Sequence, residues 1–129
     1  MNKKVITGLV SSMMLLFAGS AFADVIHVWN CKLNDGKTSA DAVTISADWL
    51  HTAKTIEGGE DFEVYVNFPI AANAGDGEFL FVLVVPDTRA WGVWFAGDGP
   101  NSAIDDANAR WAEVAGCSRS AIWDSVKVE

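Results

Sequence analysis

"VIHVWNCKL", residues 25–33, sets His27, Trp29 and Cys31 alternately with Ile26, Val28 and Asn30. A strand shows every second side chain on one face, so an imidazole, an indole and a sulfur stand in one row. Cys31 makes the stretch decisive. The chain's other cysteine, Cys117, begins "CSRSAIWDSVKV", residues 117–128, a second strand-like run at the far end. If the two pair, the first and last strands are neighbours in one sheet.

The compartment bears on that pairing. Lys3 and Lys4, an apolar run over 5–17, and the small residues of Ala21-Phe22-Ala23 read as a secretory signal peptide over 1–23. The mature chain, 24–129, is expected to be one domain, periplasmic or secreted, with no membrane association after cleavage. No other apolar run approaches the roughly 18 residues of a spanning helix. Two cysteines in an exported chain pair by default. The closed loop spans most of the domain, and the chain-entropy model gives it about 4–5 kcal/mol. A catalytic or metal-binding thiol is the alternative, but the spacing matches no zinc motif.

The mature part holds all seventeen Asp and Glu against seven Lys and Arg, a net charge of −10. Nucleic acid and anionic lipid both demand positive patches, so neither is expected as a partner. Six Trp and seven Phe in the full chain, most of them in periodic segments, exclude intrinsic disorder.

Asn34-Asp35-Gly36 turns the chain after the first strand, and Thr38 with Asp41 forms a capping box. Ala42, Ile45, Trp49, Ala53 and Ile56 then make the apolar stripe of a helix that Gly58-Gly59 ends. Residues 62–68, "FEVYVNF", alternate as a half-buried strand, with Phe62, Val64, Val66 and Phe68 opposite Glu63, Tyr65 and Asn67. "FLFVLVV", 79–85, is apolar on both faces, as a central strand is. Pro86-Asp87 opens a short helix carrying Trp91, Trp94 and Phe95. Ser102 with Asp105 starts a longer one carrying Ile104, Ala107, Trp111 and Val114, which Gly116 ends. The last run is a strand.

The order β-α-β-β-α-β, with an extra short helix after strand 3, predicts an α+β, ferredoxin-like antiparallel sheet with its helices on one face. That arrangement lays strand 4 beside strand 1, where Cys31 and Cys117 would meet. With the cysteines opposite, Trp29 pairs with Arg119, His27 with Ala121 and Val25 with Trp123. Ile26, Val28 and Ile122 are then expected under the helices. His27, Trp29, Tyr65, Arg119 and Trp123 are expected on the uncovered face. So large an apolar patch is rarely left bare on a soluble monomer, and a second copy is the simplest cover.

The strand order, the open face and the aromatic helix after strand 3 resemble the dimeric α+β barrel superfamily, which includes antibiotic-biosynthesis-type monooxygenases and NIPSNAP-like domains. "CKLNDGKTSADA" and "CSRSAIW" are also similar to segments of small exported bacterial proteins. The resemblance covers nearly the whole mature chain and implies a homodimer whose sheets enclose a cleft for small organic molecules or haem.

Other motifs carry no chemistry. "DGKTS" would need a glycine at 31, where Cys stands, to be a phosphate loop. "GCSRS" lacks the last glycine of a nucleophile elbow. "GDGE" and "GDGP" lack the ordered oxygen ligands of a calcium loop, and Asp105-Asp106 complement a helix dipole. His51 falls about 200° round its helix from Trp49 and points to solvent. No metal site or cofactor is called for. The candidate ligand-binding residues are therefore His27, Trp29, Tyr65, Arg119 and Trp123, holding a small aromatic or amphipathic molecule on the open face. Two alternatives stay open: a cofactor-independent monooxygenase or haem-handling enzyme with His27 as base or ligand, and a purely structural or interaction module.

Overall fold

The computed structural model describes residues 24–71, 75–97, 102–126 and 128, so the expected signal peptide lies outside the described residues. In chain order the elements are β1 (Asp24–Leu33), α1 (Ser39–Ala53), β2 (Glu63–Asn67), β3 (Glu78–Val85), α2 (Thr88–Gly97), α3 (Ser102–Ala112) and β4 (Ala115–Ser125). The four strands form one sheet in the order β2-β3-β1-β4, every neighbouring pair antiparallel. This is the expected α+β, ferredoxin-like arrangement.

Local chemistry sets the element ends. Thr38 caps α1 in the expected box: its side-chain oxygen accepts from Asp41 N, and Asp41 accepts from Thr38 N at 2.7 Å. Those bonds hold the Asp41 carboxyl below its usual pKa. The regular helix stops at Ala53, before the Gly58-Gly59 pair, and Ile56 reaches the core from the following turn. Gly59 is needed there because a Cβ would collide with the Ala53 carbonyl and the Trp94 indole. Asp87 opens α2, its carboxylate accepting from Ala90 N at 2.7 Å.

β1 and β3 form the sheet's centre. Val25, Cys31, Phe79, Phe81, Leu83 and Val85 are buried, whereas Leu80 is 39% exposed. The helices cover the face that carries the first set. Trp49 from α1, Trp94 from α2 and Ile104, Ala107 and Trp111 from α3 complete the core. Trp49 donates to Asn108 Oδ1 at 2.8 Å, tying α1 to α3. Trp94 donates to the Ala53 carbonyl at 3.2 Å, tying α2 to the end of α1.

The Cys31–Cys117 disulfide is present. The register expected from it holds only at that end. A bulge in β4 shifts the pairing between Asn30 and Cys31: Cys31 faces Cys117, but Asn30 faces Arg119, Trp29 faces Ser120, His27 faces Ile122 and Ile26 faces Trp123. The extra residue, Ser118, exchanges the faces of everything beyond it on β4.

Candidate functional site

The faces of β1 are the reverse of those expected. Its Val25, His27, Trp29 and Cys31 row lies under the helices, and Ile26, Val28, Asn30 and Lys32 lie on the open face. His27 is 7% exposed, and Trp29 packs against the buried cluster. The physical reason is bulk: the gap between sheet and helices is filled by rings, and the His-Trp row meets Phe81 and Leu83 of β3 there.

The five expected ligand-binding residues therefore do not share a pocket. His27 and Trp29 stand on the covered face. Tyr65, Arg119 and Trp123 stand on the open one, in register with Val82, Asn30 and Ile26. Tyr65 is 51% and Trp123 61% exposed. The Tyr65 hydroxyl donates to Glu63 Oε2 at 2.6 Å, and this bond raises its pKa.

Around Trp29 the covered side contains a cleft of about 390 Å³. Trp29, Trp49, Phe81, Trp94, Phe95 and Trp111 wall it, and Asn108 joins them. Every layer contributes: β1 and β3 the floor, α1, α2 and α3 the roof. The rings meet edge to face, with Trp29 and Trp49 each 5.5 Å from Phe81. Most of these residues look in the sequence like ordinary core. The signal that they surround a space is the number of large rings brought to one spot, since such rings leave gaps that aliphatic chains would fill.

Three polar atoms by this aromatic layer are buried without a hydrogen-bond partner among the described residues: His27 Nδ1, Trp91 Nε1 and Trp111 Nε1. Trp111 lines the cleft itself. His27 stacks on Trp29 with ring centroids 3.5 Å apart, and Phe95 of α2 lies 6.3 Å away. Burial favours the uncharged imidazole and lowers its pKa from 6.5 to about 4. At neutral pH the cleft thus has apolar walls that include the Trp111 indole, and a neutral imidazole stacked on its Trp29. Among the described residues no three His, Cys, Asp or Glu side chains converge to hold a metal ion, and no helix is long and apolar enough to cross a membrane.

No protein-family model matches the chain, and no curated protein matches it in sequence. Solved structures do. A cofactor-independent oxygenase from Streptomyces nogalater, SnoaB, is similar over 82% of this chain and 96% of its own, with TM-score 0.56 and 9% identity. A candidate antibiotic biosynthesis monooxygenase from Caulobacter crescentus matches 86% of this chain and 96% of its own, with TM-score 0.49 and 15% identity. A dimeric protein of unknown function with a ferredoxin-like fold, from Bacteroides fragilis, matches 81% and 96%, with TM-score 0.41 and 14% identity. At such identities the likeness is one of fold alone: the chain has a ferredoxin-like fold.

Proposed function

We propose that this is an exported protein that binds a small, flat, largely apolar molecule in the aromatic cleft between sheet and helices. One observation carries the reading. The cleft, about 390 Å³, is walled by rings, and Trp111 within it has a buried indole N–H without a partner among the described residues. Buried donors are nearly always bonded, and apolar walls with a few polar groups are the usual composition of a ligand site. A ligand with a carbonyl or phenolic oxygen would supply the missing acceptor. The disulfide supports an exported chain, because such bonds persist in oxidising compartments.

Catalysis is the second reading, favoured by His27. The neutral imidazole stacks on the cleft's Trp29 with Nδ1 unpartnered, and it becomes a proton acceptor only if the bound acid raises its pKa from about 4. The oxygenase SnoaB has this fold and uses no cofactor, so a proton acceptor beside an apolar cleft suits that type of chemistry. A homodimer through the open face belongs to the same proposal. Ile26, Val28, Val82 and Val84 there are half-buried, and Tyr65, Leu80 and Trp123 are exposed.

Indole fluorescence tests the binding. Titration with aromatic acids, quinones and haem should give saturable quenching by at least one class. Trp111→Phe should weaken that ligand about tenfold, the worth of one hydrogen bond. A flat response across the panel would remove the cleft reading and leave assembly as the better account. Oxygen uptake with the quenching ligand, lost in His27→Ala while binding persists, would promote the catalytic reading.

A further inference from the structure

The open face has two ends of opposite character. Across it, Glu63, Val84, Ile26 and Trp123 form one row, and Tyr65, Val82, Val28 and Ala121 form the next. The following row is Asn67, Leu80, Asn30 and Arg119, and beyond it Lys32 stands opposite Glu78. Apolar side chains thus give way, within one strand spacing, to two amides and two cations.

The β4 bulge makes that polar end. Without Ser118 as an extra residue, the disulfide register would put Arg119 opposite Trp29 on the helix side. With it, Arg119 stands opposite Asn30 on the open face. Bulges commonly re-aim a side chain in this way. The result is a groove of about 810 Å³ lined by Asn30, Lys32, Asn67, Ser118 and Arg119 and by the single carboxylate Glu78, with Leu80, Phe68 and Pro69 as its apolar part.

Neither cation is neutralised. Among the described residues the Lys32 and Arg119 side chains have no ion pair or hydrogen bond; the salt bridge found is Arg110–Asp48, between α3 and α1. Glu78, across from Lys32, accepts from Gly75 N at 2.7 Å and so is engaged with its own loop. Among the described Lys and Arg side chains only Arg110 is ion-paired, so Lys32 and Arg119 are set apart by standing together at one groove and not by being unpaired.

We propose that this groove binds the carboxylate of an amphipathic molecule, with Arg119 and Lys32 taking the charge, Asn30 and Asn67 donating, and Leu80 receiving the apolar body. Arg is suited to the role because its planar fork meets both carboxylate oxygens. The groove adjoins the aromatic cleft at Gly116 and Cys117, but its charged residues stand on the open face.

Decanoate and decanol, which share a chain and differ in the charged head, are the probes. Calorimetry on the purified, disulfide-bonded protein should show decanoate binding about tenfold or more tightly than decanol, with affinity falling as salt rises. Arg119→Gln and Lys32→Gln should each weaken decanoate about tenfold and leave decanol unchanged. Both side chains are exposed, so the variants should fold, and circular dichroism checks that they do. Equal binding of the two probes, no binding of decanoate, or decanoate binding indifferent to both substitutions overturns the proposal. Sedimentation is run alongside: if either substitution dissociates a dimer while decanoate binding stays the same, the cations serve a second copy and not a ligand.

Discussion

Phe81 and Leu80 adjoin in the chain, yet Phe81 is 6% exposed beneath the helices and Leu80 is 39% exposed on the opposite face. The contrast extends over the whole sheet. On the covered side, Phe79, Phe81 and Trp111 interlock with ring centroids 5.5–6.1 Å apart. On the open side the same strands present Val82, Val84, Val28 and Ile26, and among the described residues no helix lies over them. Alternation along a strand puts unlike environments one residue apart. One face therefore carries the stability of the isolated chain, and the other is free to carry contacts with something else.

β4 is the extreme case. From Gly116 to Asp124 every residue is exposed on both faces, although the strand is eleven residues long. Its backbone ladder to β1 and the Cys31–Cys117 bridge are what fasten it. The bridge joins residues 86 apart, which in the chain-entropy model contributes about 4–5 kcal/mol. Reduction should lower the unfolding free energy by that amount, shifting the denaturation midpoint down, and β4 amides should lose hydrogen-exchange protection before those of β3. An unchanged midpoint would mean that the covered face alone holds the fold.

The two sides of β3 sharpen the comparison. Phe81→Ala should cost about 3–5 kcal/mol, as deletion of a buried ring does. Leu80→Ala should cost about 1 kcal/mol or less in the isolated chain, because much of its surface is already wet. If a second copy covers the open face, as proposed, the Leu80→Ala penalty will grow with protein concentration and sedimentation will show a weakened dimer. Equal penalties at every concentration would erase the distinction between the faces.

How far the sequence led follows from the same geometry. Element order, the Thr38–Asp41 box, the alternation of β2 and the cysteine pair all rest on local periodicity, and each was legible. Facing was harder. On β2 the polar set Glu63, Tyr65 and Asn67 marks the outer side. On β1 both sets look apolar, and the cues to the outer set were Asn30 and Lys32 at its far end. The bulge at Ser118 had no cue at all: one extra residue in a ladder leaves no periodic trace, and it moved Arg119 and Trp123 to the face opposite His27 and Trp29. The candidate site was split for that reason. The cleft itself was hidden because Trp49, Trp94 and Trp111 sit at core spacings, and whether rings fill a space or surround one is decided by packing.

His27 gives the last effect, and it belongs to the covered face alone. Its imidazole has a pKa of 6.5 in the unfolded chain and about 4 in the fold, through desolvation. Between those values the unfolded chain binds more protons, so stability rises with pH across the window. The contribution is complete above about pH 6.5 and is lost as pH falls through 4. Its size is about 3 kcal/mol, set by the separation of the two pKa values. Urea midpoints measured from pH 7 down to 4 should fall accordingly, and His27→Phe, which keeps a ring on Trp29, should flatten that part of the curve. Asp41, whose lowered pKa comes from its cap, remains in both proteins, so the difference between the curves isolates the histidine. A ligand that fills the cleft and accepts from a protonated His27 would raise its pKa and shrink the difference. If the two curves are parallel without ligand, the imidazole is wetter than its 7% exposure implies, and the case for a neutral base beside Trp29 goes with it.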